Sequence, residues 1–256
     1  MVQSFFMRLL RPFLKNWDIQ SNRGVHQFIA ISRHVQKKIE TYYQRQSTVI
    51  TPPVNTDFYL PDDASREDFF LIVSALSPYK RVDLAVEAFN ELGYPLRIIG
   101  AGPEMSYLRT IAASNIKFLG WITDEQVRSY YARCRALVFP GEEDFGIVPL
   151  EAQAMGCPVI ALGKGGALET VIPESSSWRP QTGIPKEKTQ KPTGLFFYQG
   201  EKETLCQAIE GFIDAETGFD AKEIRKHALQ FNLNQFQYRI SMFLQEYLKK
   251  SDAEKI

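Results

Sequence analysis

The chain has 256 residues, enough for one large domain or two small ones. Its 30 Lys and Arg balance 30 Asp and Glu, so no global field draws it to nucleic acid. Hydrophobic residues make up 44%, as in an ordinary globular protein, yet no run approaches the ~20 apolar residues needed to span a bilayer.

The first stretch, MVQSFFMRLLRPFLKNW, predicts an amphipathic helix. Phe5, Phe6, Leu9, Leu10, Phe13, Leu14 and Trp17 share one face, beside Arg8, Arg11 and Lys15. Such a face suits burial against another domain or peripheral contact with a membrane surface. It is a poor signal peptide, because Arg8 and Arg11 interrupt the apolar run and no small-residue cleavage site follows. HQFIAISRHVQKKIETYYQRQSTVITPPV then predicts strand, helix and strand, with an exit stiffened by Pro52 and Pro53. Two lone strands make a poor domain. Residues 1–54 are therefore expected to be the remnant of a larger sheet, followed by a linker.

From Phe69 onward strands and helices alternate. FFLIVSA, LRIIG, IKFLG, ALVFP, PVIAL and GLFFY are short apolar runs that predict buried strands. RVDLAVEAFNEL places Val82, Ala85, Val86 and Phe89 at helical spacing. GPEMSYLRTIAA predicts a helix with Pro103 in its first turn. TDEQ is a capping box, Thr123 with Gln126, that opens VRSYYARC. VPLEAQAMG predicts a helix from about Ile147 to Gly156.

Strands that are apolar throughout, separated by helices, imply a parallel sheet covered on both faces. The fold class is α/β, a Rossmann-like doubly wound domain over residues 55–232, with ligands expected beyond the carboxyl ends of the strands. Pro173 to Pro192 is polar and lacks periodicity, which predicts a surface loop. Residues 233–256 predict a closing helix with Phe236, Ile240, Phe243 and Tyr247 on one face.

Few side chains suggest chemistry. Cys134, Cys157 and Cys206 lack metal-ligand spacing and read as buried thiols in a reducing compartment. His26, His34 and His227 lie outside the strand-end loops, and His34 is expected on the surface of its helix. No catalytic histidine, metal site or cofactor is assigned.

The stretch EEDFGIVPLEAQAMGCPVIALGKGG carries more. Glu143 precedes the predicted helix and Glu151 lies about one turn inside it, with seven residues between them. Gly146 permits a tight turn, and the first-turn N–H groups at Ile147 and Val148 face the gap. A helix start suits a diphosphate, and flanking carboxylates can accept hydrogen bonds from sugar hydroxyls. Acidic residues are also common at helix starts for dipole reasons alone. Lys80, in the loop after the first strand of the domain, reads as a phosphate contact or as a solvated surface lysine. Arg81 beside it is expected to face solvent. Gly100 and Gly102, with Gly163, Gly165 and Gly166, lie at strand ends where backbone can approach a ligand. Neither group is a dinucleotide fingerprint.

The blocks SPYKRVDLAVEAF, GAGPE, FLGWITDEQVRSYYARC, FPGEEDFGIVPLEAQAMGCPVIALGKGGALETV and TGLFF together resemble the retaining nucleotide-sugar glycosyltransferases of family four. The resemblance runs from His26 to the end and is strongest to bacterial polysaccharide mannosyltransferases. It implies the C-terminal, donor-binding half of a GT-B architecture, in which two Rossmann domains face across a cleft. It implies that Glu143 holds donor-sugar hydroxyls, Glu151 the ribose and Lys80 the diphosphate. Gly146, Ile147 and Val148 would face sugar and phosphates, and the backbone at Ile122 the base. The donor would be GDP-mannose or another nucleotide-diphospho-hexose, and the acceptor a glycan or lipid-linked sugar in surface polysaccharide synthesis. The location would be cytoplasmic, peripheral to the inner face of a membrane.

Two departures stand out. Ala75 occupies a position where many relatives carry arginine, and only a stub stands where the family's N-terminal domain is expected. The chain alone is therefore expected to expose both apolar stripes, to self-associate or take a separate N-terminal-domain subunit, and to transfer no sugar unaided. A non-catalytic nucleotide-sugar-binding module and an inactive remnant remain alternatives.

Overall fold

The structure, a computed structural model, describes residues 2–62, 64–174 and 191–253. Most of the loop expected between Pro173 and Pro192 lies outside these described residues. The chain divides into two compact units, residues 1–51 and 52–256.

In the first unit, helix α1 (Val2–Ser21) precedes strand β1 (Phe28–Ala30), helix α2 (Arg33–Tyr43) and strand β2 (Ser47–Val49). The two strands pair in parallel, Phe28 opposite Ser47. Ser32 caps α2 by accepting from the Val35 N–H at 3.0 Å. The Tyr43 hydroxyl donates to Asp18 at 2.7 Å and so ties the end of α2 to α1. Met7, Leu9, Leu10, Phe13, Leu14 and Trp17 are all exposed on α1. His34 is half-buried rather than on the surface. It sits in the first turn of α2, straight after β1, where residues 34–36 are all partly covered.

The second unit holds six parallel strands. In chain order they are β3 (Phe70–Val73), β4 (Leu96–Ile99), β5 (Ile116–Gly120), β6 (Leu137–Phe139), β7 (Val159–Leu162) and β8 (Gly194–Phe197). The helices between them are α3 (Val82–Leu92), α4 (Met105–Ile111), α5 (Asp124–Arg133), α6 (Ile147–Ala154) and the short α7 (Ala167–Thr170). After β8 come α8 (Lys202–Ala215), α9 (Ala221–Ala228) and α10 (Leu233–Ala253). The spatial order is β5-β4-β3-β6-β7-β8. The chain therefore builds outward from β3, returns, and builds the other way from β6. Such a sheet opens a crevice at the carboxyl ends of the two central strands, where the order reverses.

Alternation along β3 supplies both faces of the core. Phe70 and Ile72 join α3 and α8 on one side, where the Phe70 ring lies 5.2 Å from Phe89 and 5.9 Å from Phe212. Phe69 and Leu71 join Tyr131, Leu137, Leu150 and Val159 on the other. Cys134, Cys157 and Cys206 are free and buried within these layers.

The segment before β3 belongs to this unit. The Val54 N–H donates to the Phe231 carbonyl at 2.8 Å. The Arg225 guanidinium donates to the carbonyls of Thr56 (3.2 Å), Tyr59 (2.7 Å) and Ala154 (2.5 Å). These bonds tie the segment before β3 into the unit of residues 52–256.

Pro103 does not open α4. It forms a turn ahead of it, because the Glu104 N–H is drawn to the Leu76 carbonyl at 3.0 Å and the helix starts only at Met105. On α10, Phe236, Ile240, Phe243 and Tyr247 are half-covered, while Leu233, Tyr238, Met242, Leu244 and Leu248 are exposed. Its apolar residues thus extend beyond a single stripe. Among the described residues, no helix is long and apolar enough to cross a membrane.

Phe89 joins α3 to the sheet with no exposed surface. Phe89→Ala should lower the free energy of unfolding by about 3–5 kcal/mol in urea denaturation. A loss under about 1 kcal/mol would show that the ring does not support the sheet.

Candidate functional site

Lys80 and Glu143 follow the two central strands, β3 and β6, and so meet where the strand order reverses. Pro78–Lys80 forms a single tight turn, and Arg81 takes a left-handed conformation (φ 53°) to start α3. Arg81 is half-buried rather than free in solvent, held by Asp83 at 3.3 Å and the Gly200 carbonyl at 3.5 Å. The turn aims Lys80 across the crevice, where its ammonium donates to the Glu143 carboxylate. The two side chains are 17% and 20% exposed, so the pair is substantially desolvated. Burial pulls the Lys80 ammonium below its ordinary pKa, and the adjacent carboxylate supplies the compensating charge.

Glycines allow the loops to meet. A Cβ at Gly141 would fall 2.9 Å from the Lys80 Cα. A Cβ at Gly165 would fall 2.3 Å from the Glu143 carbonyl oxygen, and one at Gly166 would fall 2.2 Å from the Phe145 Cα. Real Cβ atoms do not approach so closely. The Gly166 N–H also donates to the Glu143 carbonyl at 2.8 Å, so the loop after β7 fixes the loop after β6. Gly146 precedes α6 with φ 106° and provides no side-chain cap. The first N–H groups of such a helix have no partner within it. Here they belong to Ile147, which is exposed, and Val148, which is half-buried.

Glu151 lies further along α6 and is half-buried. It accepts a hydrogen bond from the Tyr131 hydroxyl at 3.1 Å. Burial raises the Glu151 pKa, and the hydrogen bond from Tyr131 opposes that rise. Burial, reinforced by the Glu151 charge, raises the pKa of both Tyr131 and Tyr59. Their rings meet edge to face at 5.9 Å.

Gly102 lies at the end of β4. A Cβ there would fall 2.3 Å from the Leu76 carbonyl oxygen, so the protein's own backbone already demands glycine. The same holds for Gly100 against Ser74, at φ 130°, while Gly163 meets the Tyr198 ring. Ile122 is half-buried just after β5, ahead of the Thr123–Gln126 capping box, and Trp121 beside it is 79% exposed. Ala75 is exposed in the loop after β3.

Behind α6, the Gln153 side chain donates to the carbonyls of Pro149 (3.1 Å) and Thr170 (2.8 Å). His227 Nε2 lies 3.1 Å from that same Thr170 carbonyl, and burial lowers the His227 pKa. The Thr170 carbonyl of α7 thus joins Gln153 of α6 to His227. Among the described residues, no group of three His, Cys, Asp or Glu is placed to hold a metal ion.

The crevice thus gathers Lys80, Glu143 and the helix start at Gly146, Ile147 and Val148, with Glu151 on the same helix. Gly102 and Ile122 lie at the neighbouring strand ends. Sequence reasoning missed Gly141 and Tyr131. Gly141 had a signal, as a glycine directly after a predicted strand. Tyr131 sits in the apolar pattern of α5, where nothing distinguishes it from a core residue.

The family described as "Glycosyl transferases group 1" matches residues 61–231. An uncharacterised glycosyltransferase of Methanocaldococcus jannaschii is 26% identical over 182 residues, 69% of this chain and 51% of that protein. The GDP-mannose-dependent alpha-(1-6)-phosphatidylinositol monomannoside mannosyltransferase of Mycobacterium tuberculosis (strain CDC 1551 / Oshkosh) is 32% identical over 151 residues, 48% of this chain and 39% of that protein. The chain therefore spans about half the length of the curated relatives it matches. Among solved structures, a sucrose-phosphate synthase from Thermosynechococcus elongatus superposes with a TM-score of 0.76 at 18% identity, covering 92% of this chain and 62% of that one. At that identity the likeness establishes the fold, which is that of the GT-B glycosyltransferases.

Gly166→Ala should push the loop after β7 off Phe145 and cost about 1–3 kcal/mol of stability in thermal or urea unfolding. Unchanged stability would mean that the contact between the two loops yields freely.

Proposed function

The chain belongs to the glycosyl transferases group 1 family, and on that premise we propose that it carries the donor site of a retaining hexosyltransferase. The observation that carries this proposal is the Lys80–Glu143 pair beside the start of α6, at the point where the strand order reverses. The donor is a nucleotide-diphospho-hexose. Its diphosphate takes the Lys80 ammonium and the N–H groups of Ile147 and Val148, where the helix dipole adds a favourable field. An ammonium has three N–H donors, so Lys80 can hold a phosphate oxygen while keeping its bond to Glu143. As the leaving diphosphate gains charge, these fixed donors stabilise it without reorganising.

Glu143 accepts from hydroxyls of the hexose, and Glu151 from the ribose. The backbone at Ile122 borders the base, and Gly102 lets the neighbouring strand end stay close to the crevice. Mannose carried on a guanine nucleotide is the donor favoured here. Its support is the mycobacterial relative, whose name states GDP-mannose dependence. The acceptor is a glycan or lipid-linked sugar.

Two substitutions separate the carboxylate roles, with affinities for GDP and GDP-mannose read by calorimetry. Glu151→Ala should weaken both ligands by about 1.5–3 kcal/mol, since both carry ribose. Glu143→Ala should weaken GDP-mannose by a similar amount and bare GDP by less. Equal losses for the two ligands with Glu143→Ala would contradict its contact with the sugar. No heat from guanine, uracil or adenine nucleotide sugars with the folded wild-type chain would end the donor-site proposal.

A further inference from the structure

We propose that Cys134 and Cys157 form a modification site, a thiol pair that a small peroxide oxidises to a reversible disulfide, and that this bond closes and stabilises the loop carrying Glu143, the start of α6 and Glu151. The inference goes beyond donor binding and does not depend on it.

The two cysteines stand 23 positions apart in the chain, yet their Sγ atoms lie 3.3 Å from each other. Cys134 ends α5, its N–H donating to the Tyr130 carbonyl. Cys157 follows α6 by way of Gly156, whose left-handed φ of 72° turns the chain back. The Cys157 N–H donates to the Ala152 carbonyl at 2.9 Å. Arg66 then clamps both places. One terminal guanidinium nitrogen donates to the Cys134 carbonyl at 2.5 Å and the other to the Gly156 carbonyl at 2.7 Å. The sulfurs therefore face each other from backbone that is held on both sides. A disulfide bond is about 2.0 Å long, so from 3.3 Å the sulfurs need approach by only about 1.3 Å.

The reduced pair is also well accommodated. Cys157 Sγ lies 3.4 Å from the Pro158 carbonyl and Cys134 Sγ 3.7 Å from that of Tyr131. What favours oxidation is the unequal setting of the two thiols. Burial pushes the Cys134 thiol up. At Cys157 burial is outweighed by the hydrogen bond from Cys134 and the nearby Arg66 charge, so its pKa falls and it supplies the thiolate. Neither sulfur has exposed surface, so the oxidant must be small and uncharged, and hydrogen peroxide fits. The Cys157 thiolate attacks one peroxide oxygen. An S–O bond forms, the O–O bond breaks, and the released hydroxide becomes water with the proton that Cys157 gave up. The Cys134 sulfur then displaces hydroxide from the Cys157 sulfenic acid. The S–S bond forms, and the departing hydroxide takes the Cys134 proton as a second water. Two thiols lose two electrons, and one peroxide is reduced to two waters.

The loop so closed contains Gly141, Glu143, Gly146, Ile147, Val148 and Glu151. Cys206 serves as an internal control. It is buried too, but on the opposite face of the sheet, with its Sγ 3.9 Å from the Ala88 carbonyl. The test treats the full wild-type chain with hydrogen peroxide, alkylates it under denaturing conditions and maps its peptides by mass spectrometry. Thermal midpoints are measured before oxidation, after it, and after reduction with dithiothreitol. Cys157→Ala and Cys206→Ala are carried in parallel, and wild type alone decides the outcome should a variant not fold.

Wild type and Cys206→Ala should lose the mass of two hydrogens and yield one crosslinked peptide pair, Cys134 to Cys157, while Cys206 of wild type stays open to alkylation. The thermal midpoint should rise by about 5–10 °C on oxidation, as expected when a loop of this length is closed in the unfolded chain, and return on reduction. Cys157→Ala should show neither the crosslink nor the rise. Recovery of Cys134 and Cys157 as two alkylated thiols, at peroxide levels that oxidise free cysteine, would overturn the proposal. So would sulfinic or sulfonic acids in place of the crosslink, or a crosslink to Cys206 or to a second chain. A Cys134–Cys157 bond that leaves the midpoint unchanged or lower would also overturn it, since such a bond would not stabilise the loop.

Discussion

Three loops can converge on one crevice because glycine stands wherever a Cβ would overlap backbone. Gly141 lets the loop after β6 lie on Lys80, while Gly165 and Gly166 let the loop after β7 lie under Glu143 and Phe145. A single Cβ at any of these places would separate the loops and pull apart a charge pair that is mostly shielded from water. The pair is held by backbone fit as much as by its own attraction. That matters because desolvated charges need fixed geometry to offset what they lose by leaving water. The sheet order supplies the rest, since β3 and β6 are the two strands between which the winding reverses.

The same constraint links fold to chemistry. The β6 loop must end in a left-handed glycine, Gly146, for α6 to start where it does. That start sets the first N–H groups of α6 beside the lysine–glutamate pair, and the helix then carries Glu151 to the Tyr131 hydroxyl. Arg225 holds the end of α6 through the Ala154 carbonyl, and Gln153, on α6 itself, ties the helix to the Thr170 carbonyl that His227 also meets. Donors that are already in place need not move when charge develops, which is the usual origin of electrostatic stabilisation in transfer reactions.

Much of this fold could be read from the sequence because buried parallel strands leave a plain signal. All six apolar runs from FFLIVSA to GLFFY became strands, and the Thr123–Gln126 box formed as its spacing required. The sequence was less informative where one residue type serves two purposes. Gly100, Gly102 and Gly163 read as room for a ligand, yet each is already required by a close contact inside the protein. Pro103 looked like a helix opener, but a carbonyl at Leu76 draws the turn away from α4. His34 on α2 and Arg81 ahead of α3 gave no sign of partial burial, because that depends on what packs beside them. Tyr131 was invisible as the partner of Glu151, since their meeting depends on a tertiary contact between α5 and α6.

The claim that most needs a direct test is that the α6 start and Lys80 together form a diphosphate site. A crystal structure of the chain with GDP-mannose would decide it. The account predicts diphosphate oxygens within hydrogen-bond reach of the Lys80 ammonium and of the Ile147 and Val148 N–H groups, with the ribose on Glu151. A diphosphate bound elsewhere in the domain, with the Lys80–Glu143 pair untouched, would contradict it.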